Sequence, residues 1–200
     1  SGKKELPIRV LDMGMGQERN AWFSQGANTI YEAVFPTVCK KLFSATGVKV
    51  DPNIVRKFVP YAGLLNVDEV EDISKAWKTV ASKVKVDVKE LRELILPLAA
   101  VYSIGEHTRS LLFALNDGAL PSNTGGGYNL RVLIRRALSF INKYGWNINL
   151  ADVCKWHAEY LKPQFPELMD NLEEVSTILN VEKNKYNNTL EKSEQVIKNL

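Results

Sequence analysis

The stretch YNLRVLIRRALSFINKY, residues 128–144, has the pattern that recurs through most of this chain. It carries four basic residues and no acidic one. Its apolar residues follow the i, i+3, i+4, i+7 pattern and so share one face of a helix: Leu130, Leu133, Ile134, Ala137, Leu138 and Ile141. We therefore predict an amphipathic helix whose basic side, bearing Arg131 and Arg135, lies beside its buried face.

Helical periodicity continues on both sides of this stretch, from Glu18 almost to the end of the chain. Residues 54–65 and 67–84 predict a helical pair, and a third helix starts at residues 86–87. Pro97 is expected to kink that third helix, because proline removes a backbone hydrogen bond. Most of the chain is thus predicted to form a bundle of helices.

The two ends of the chain differ from this bundle. Residues 8–13 are mostly apolar and precede Gly14 and Gly16, which predicts a short buried strand followed by a helix. From Leu168 to Leu200, apolar residues recur at about 3.5-residue steps with charged residues between them. The predicted fold class is therefore mainly α: a helical bundle with a short N-terminal strand-plus-helix unit and a long C-terminal amphipathic helix.

The composition indicates a globular protein and argues against a membrane protein. A chain of 200 residues with 45% hydrophobic content can bury a core. Its net charge of +3 is too small to identify a nucleic-acid binder by itself. The longest uncharged apolar run, between Glu93 and Glu106, is too short to cross a membrane. We therefore expect a cytoplasmic location and no membrane partner.

The cysteines indicate neither a disulfide framework nor a metal site. Cys39 and Cys154 are far apart in sequence and form no CxxC pair, as is usual in a reduced, intracellular protein. Cys154 and His157 have a helical spacing that can hold a metal, but a closed zinc site needs four ligands. No metal is therefore expected to bind this chain.

The first candidate site is DMGMGQER, residues 12–19, where two glycines allow a backbone to approach a ligand closely. A dinucleotide-binding loop would need a third glycine at position 19, which is Arg19, and the Gly-Lys-Ser or Gly-Lys-Thr of a P-loop is absent. These residues alone fit either a plain strand-to-helix turn or a site in which Arg19 binds phosphate through its two-pronged guanidinium.

The second candidate site contains GEHTR, residues 105–109, and DGALPSNTGGGYNLRVLIRRA, residues 117–137. This run resembles the hallmark segment of the alanyl-tRNA synthetase family, and residues 11–36 resemble its archaeal branch. Within them, residues 12–19 resemble motif 3 of class II aminoacyl-tRNA synthetases. The resemblance covers essentially the whole chain.

The resemblance implies an alanine–tRNA ligase as the parent protein, with alanine, ATP and its Mg²⁺ as substrates. Residues 1–44 would then end the catalytic domain, and residues 45–200 would form the helical domain that recognises tRNA. In the family, the residue matching Asp12 binds the amino group of alanine and Gly14 lies beside its methyl group. The residue matching Arg19 is the catalytic contact to ATP. The residue matching Gly16 also lies in the ATP site.

The resemblance also implies contacts to the acceptor stem of tRNA(Ala). The asparagine matching Asn123 contacts a G·U wobble pair in the minor groove, and Arg135 matches a position that supports it. The basic side of the helix, with Arg131, would follow the phosphate backbone. From the residues alone, Asn123 could equally bond its own loop backbone, and the basic side could be an ordinary solvated surface.

The chain lacks motifs 1 and 2 of the family, and the zinc-dependent editing domain would lie beyond residue 200. We therefore expect the isolated chain to be catalytically inactive. Two other interpretations stay open at this point. One is a stand-alone helical RNA-binding module without catalysis, and the other is a helical bundle that binds a protein through its C-terminal helix. No DNA partner is expected.

Overall fold

The computed structural model describes residue 8, residues 13–66 and residues 71–198, and for residue 194 it describes the backbone alone. The described residues are mainly helical, which confirms the predicted α class. The helices are α1 (Gln17–Gln25), α2 (Ile30–Val34), α3 (Pro36–Thr46), α4 (Pro52–Phe58), α5 (Ile73–Val84), α6 (Val88–Asn116), α7 (Gly125–Tyr144), α8 (Leu150–Leu161) and α9 (Leu172–Lys198). Short 3-10 helices cover Val59–Leu65 and Pro166–Met169. No helix in this described part is both long and apolar enough to cross a bilayer.

The strand predicted for residues 8–13 lies mostly outside the described residues. Its two described ends, Ile8 and Met13, are 72% and 67% exposed, and neither lies in a strand. A strand needs hydrogen bonds from a neighbouring strand, and none of the described residues supplies one. The N-terminal strand therefore stays a prediction.

Aspartates begin three consecutive helices. The side chains of Asp51, Asp72 and Asp87 each accept hydrogen bonds from two backbone N–H groups in the first turn of α4, α5 and α6. These groups have no partner within a helix, so each cap stabilises its helix by about 1 kcal/mol. The caps explain where these helices begin.

The central helix α6 packs against α3, α7 and α8. It contributes to two hydrophobic clusters. A larger cluster joins its C-terminal two thirds to α3, α7, α8 and α9, whereas a smaller one joins Leu91 and Ile95 to α5. Gly105 allows the close approach at the centre of α6, because a Cβ there would lie 2.7 Å from the ring of Phe35.

The division of the chain at residues 44 and 45 remains a prediction. Val38, Cys39 and Leu42 of α3 are buried in the same large cluster as α6 to α9. The core therefore continues across the proposed boundary. If the function of the chain changes at residue 45, that change occurs within one continuous hydrophobic core.

Three helices differ from the boundaries that the sequence predicts. The helix predicted for residues 54–65 is α-helical only to Phe58 and then becomes a 3-10 helix that contains Pro60 and Gly63. The next predicted helix starts at Ile73, after the Asp72 cap. The basic helix α7 starts at Gly125, three residues earlier than predicted. α6 continues as one helix through Pro97.

Candidate functional site

The loop between α6 and α7 is folded back on the first turn of α7. The backbone N–H of Ser122 donates to the carbonyl oxygen of Gly127 over 3.0 Å, and its hydroxyl donates to the carbonyl oxygen of Thr124 over 2.7 Å. A Cβ on Gly127 would lie 2.4 Å from both the Leu120 carbonyl oxygen and the Ser122 hydroxyl. Only glycine fits at position 127, and this close contact fixes the loop that carries Asn123.

Asn123 is exposed on this loop and is held by Arg131 of α7. The Nη1 of Arg131 donates a hydrogen bond to Asn123 Oδ1, and Nη2 contacts the carbonyl oxygen of Pro121 at 3.4 Å. A guanidinium has donors but no acceptor, so the asparagine atom that faces it is the oxygen. The amide NH₂ of Asn123 is therefore left without an acceptor in the described part of the chain.

Arg131 is itself held by Glu182 of α9. Its Nε and Nη2 donate to Glu182 Oε2 and Oε1 over 2.9 and 3.0 Å, and Lys185 Nζ donates to Oε1 over 2.9 Å. The side chains of Arg131 and Glu182 are only 14% and 4% exposed. Burial alone would raise the pKa of Glu182, but the hydrogen bonds from Arg131 and Lys185 lower it below its usual value. Glu182 is therefore ionised at neutral pH.

The other cations of α7 are directed to solvent. Arg135, Arg136 and Lys143 are exposed, and Arg135 has no hydrogen bond or ion pair with any described residue. In the structure Asn123 is contacted by Arg131, which lies one helical turn nearer the loop than Arg135. The support that the resemblance implies from Arg135 stays a prediction. Arg131 is engaged by Glu182, so Arg135 is the residue of the predicted basic side that keeps an uncompensated positive charge among the described residues. Arg136 follows it directly and therefore lies about 100° away around the helix.

The N-terminal candidate site is a cavity of about 400 Å³ between α1, α2 and α6. Gly14, Gly16 and Arg19 line it, and Arg19 is exposed and unpaired among the described residues. Glu18 lies 3.9 Å from Arg109 of α6, so an ion pair links this site to α6. Asp12, the predicted ligand of alanine, lies outside the described residues.

Cys154 and His157 take part in the core instead of facing a site. Both are fully buried, with Cys154 Sγ 3.5 Å from the Thr108 carbonyl oxygen and His157 Nε2 2.8 Å from the Gly105 carbonyl oxygen. Among the residues that the structure describes, no three His, Cys, Asp or Glu side chains converge as metal ligands. The helical spacing of this pair is explained by packing against α6.

A family model described as tRNA synthetases class II (A) matches residues 1–200. The chain belongs to this family. It is 44% identical over 199 residues to an alanine–tRNA ligase of Methanocella arvoryzae, covering 100% of this chain and 23% of that protein. Alanine–tRNA ligases of Methanothermobacter thermautotrophicus and Nitrosopumilus maritimus are 35% and 37% identical, over 98% and 90% of this chain and 22% and 20% of theirs. The chain thus spans about a fifth of the length of these relatives.

The sequence prediction for this class II synthetase chain does not include Glu182, which the structure places in the site. Glu182 lies 51 residues after Arg131, so no local pattern connects the two. A signal was nevertheless present, because position 182 lies on the apolar stripe of α9 between Leu179 and Tyr186. A carboxylate at such a position needs a buried partner, and that requirement predicts an ion pair without naming the partner.

Proposed function

We propose that this chain is part of an alanine–tRNA ligase, which activates alanine with ATP and transfers it to the 3′ end of tRNA. The support is the similarity to proteins of that name along the chain, from 35% to 44% identity in the relatives described above. Membership of the class II (A) tRNA synthetases is consistent with this reaction. The proposal places the protein in the cytoplasm with tRNA as its macromolecular partner.

In this proposal the N-terminal cavity is one side of the adenylate site. Arg19 is exposed and unpaired among the described residues, so its guanidinium is available to an ATP phosphate, with which Mg²⁺ would enter. Gly14 and Gly16 have no side chain that would obstruct a ligand in the cavity. Asp12 would bind the ammonium group of alanine, because opposite charges compensate each other's loss of water.

The second part of the proposal assigns the loop and α7 to the acceptor stem of tRNA. The observation that supports it best is the state of Asn123, which is exposed while its oxygen is anchored by Arg131. An anchored amide presents a fixed pattern of two N–H donors and one remaining oxygen lone pair. A fixed pattern can distinguish base pairs, whereas a freely rotating amide adapts to each of them.

The G·U pair offers groups that this amide can bind. Its guanine amino group has no Watson–Crick partner in the minor groove, and the wide, shallow minor groove of A-form RNA admits a short side chain. The remaining lone pair of Asn123 Oδ1 can accept from that amino group, while Nδ2 can donate to a neighbouring base or ribose oxygen. Arg135 on the acid-free helix α7 would then pair with phosphate.

The test is the substitution Asn123→Ala in the complete protein that carries this chain. We expect the preference for G·U over G·C acceptor stems in aminoacylation to fall by about 1–3 kcal/mol, as for base-edge contacts elsewhere. Alanine-dependent pyrophosphate exchange, which needs no tRNA, should stay unchanged. Asn129→Ala, an exposed asparagine in the first turns of α7, is the matched control. Equal losses on both stems would contradict the assignment of Asn123.

Experiments on the complete protein also distinguish this proposal from an RNA-binding module without catalysis. An enzyme forms alanyl-adenylate, and the substitution Arg19→Ala should abolish that step while tRNA binding persists. If the complete protein binds tRNA but shows no alanine-dependent pyrophosphate exchange, it is an RNA-binding module and not a ligase. The isolated chain, with Arg19 but without motifs 1 and 2, should show no exchange.

A further inference from the structure

We propose that Glu182 is a positioning residue for tRNA recognition, because its carboxylate holds the Arg131 guanidinium in the orientation that fixes the amide of Asn123. The inference rests on the proposed contact between Asn123 and the acceptor stem. It adds α9, which lies outside the hallmark segment, to the recognition site. Glu182 would touch no part of the tRNA itself.

The geometry of the guanidinium carries this inference. The Nε and Nη2 of Arg131 both face Glu182, and Nη1 faces Asn123. A guanidinium is planar and rigid, so fixing two of its nitrogens fixes the direction of the third. Glu182 therefore determines where the hydrogen bond to Asn123 points, although its carboxylate does not contact Asn123.

The burial of Glu182 makes a gain in fold stability a weak explanation of this residue. Glu182 is 4% exposed and lies on the buried side of α9 with Val175 and Leu179. A buried ion pair gains little net stability, since both charges lose their water, and apolar residues of similar size are often as stable. What the pair provides at this position is a fixed direction for Arg131.

Lys185 completes the arrangement at its solvent edge. Its Nζ donates to Glu182 Oε1, the same oxygen that accepts from Arg131 Nη2, and its side chain is 52% exposed. With two cations against one carboxylate, Glu182 remains ionised and cannot turn away without leaving two positive charges unpaired. The carboxylate is thereby held on Arg131.

The test uses Glu182→Gln in the complete protein, with acceptor stems that carry G·U or G·C. Glutamine keeps the size of the side chain but has one oxygen and one NH₂, so it cannot accept from Arg131 Nε and Nη2 through two separate oxygens as the carboxylate does. We expect the G·U over G·C preference to fall about tenfold. Alanine-dependent exchange, which needs no tRNA, should change little and shows that the variant is folded. Glu191→Gln, an exposed glutamate on the same helix, should leave the preference intact.

A second variant keeps the inference testable if Glu182→Gln folds poorly. Arg131→Lys retains a positive charge opposite Glu182, but a single ammonium cannot hold both the carboxylate and Asn123 in fixed directions. The preference should fall as it does in Glu182→Gln. In an Asn123→Ala background neither substitution should lower it further, because both act through Asn123.

The outcomes separate the two proposals. If Asn123→Ala removes the preference while Glu182→Gln and Arg131→Lys retain it, the positioning role is wrong and the proposed function stands. If Asn123→Ala retains the preference, the proposed contact is wrong, and the role of Glu182 is overturned with it. An additional loss from Glu182→Gln in the Asn123→Ala background would also overturn a role through Asn123.

Discussion

The imidazole of His157 on α8 donates a hydrogen bond from Nε2 to the carbonyl oxygen of Gly105 on α6 over 2.8 Å, while its Nδ1 has no hydrogen-bond partner among the residues that the structure describes. The ring is fully buried and lies edge-on to Phe35 at a centroid distance of 5.2 Å. This contact therefore joins α8, α6 and the start of α3 through a neutral histidine.

The first prediction concerns the stability of the 200-residue chain in acid. Burial, assisted by the charge of Arg109, lowers the pKa of His157 from 6.5 to about 4. Because this folded-state pKa lies below the unfolded value, the unfolded chain binds the proton first as pH falls. The free energy of unfolding should be highest above pH 6.5 and fall as the pH decreases towards 4, by ~3 kcal/mol from this group.

Urea unfolding curves at a series of pH values would measure this fall. Carboxylates add their own pH dependence, so the relevant quantity is the difference between the unchanged chain and His157→Gln. His157→Gln should lose the component that His157 contributes between pH 6.5 and 4. His107→Gln should keep that component and lose only the contribution of His107, whose pKa burial also lowers. Parallel pH profiles for the unchanged chain and His157→Gln would show that the histidine is not held neutral by burial.

The second prediction compares two neighbouring glycines in the first turn of α7. Gly127→Ala would place a methyl group 2.4 Å from the Leu120 carbonyl oxygen, so the loop must move, at a cost of about 1–3 kcal/mol. Gly126→Ala meets nothing within 4 Å, and alanine favours the helix by roughly 0.5–1 kcal/mol. Unfolding by urea should therefore give opposite signs for the two variants. Equal effects would mean that the loop does not pack on Gly127.

The third prediction concerns Arg135 in the complete protein. If this exposed cation pairs with a phosphate, Arg135→Ala should weaken the binding of G·U and G·C acceptor stems equally. The slope of log affinity against log salt should also decrease by about 1. Lys40→Ala, which removes an exposed cation of α3, is the control. A loss confined to G·U stems would make Arg135 a base contact instead of a phosphate contact.

Much of the helical fold follows from periodicity in the sequence. The basic helix at residues 128–144 is the core of α7, because its apolar residues repeat at helical spacing over about three turns. Periodicity does not locate the beginning of α7. Glycine has a low intrinsic helix propensity, so Gly125 to Gly127 do not predict the first turn of a helix. The hydrogen bond from Ser122 to Gly127 favours helix there, and apolar periodicity contains no signal for such a contact.

The sequence prediction includes Asn123 and Arg131 but neither their pairing nor Glu182. Asn123 and Arg131 lie in a segment whose family resemblance points to RNA, and their contact spans only eight residues. The ion pair of Glu182 with Arg131 depends on how α9 crosses α7, which side-chain periodicity cannot specify. The link between Glu18 and Arg109 likewise depends on the packing of α1 near α6.

The position of Pro97 in α6 has a consequence for the motions of the native chain. Pro97 lies between Ile95, which packs in the smaller cluster, and Leu98, which packs in the larger one. Proline provides no N–H for the helical ladder, so the hydrogen bonding of α6 is weakest where its two packing environments meet. One helix should therefore contain two blocks of amide protons with separate opening free energies. By native-state hydrogen exchange, amides before Pro97 should exchange together with those of α5, and amides after it should exchange more slowly, with those of α8.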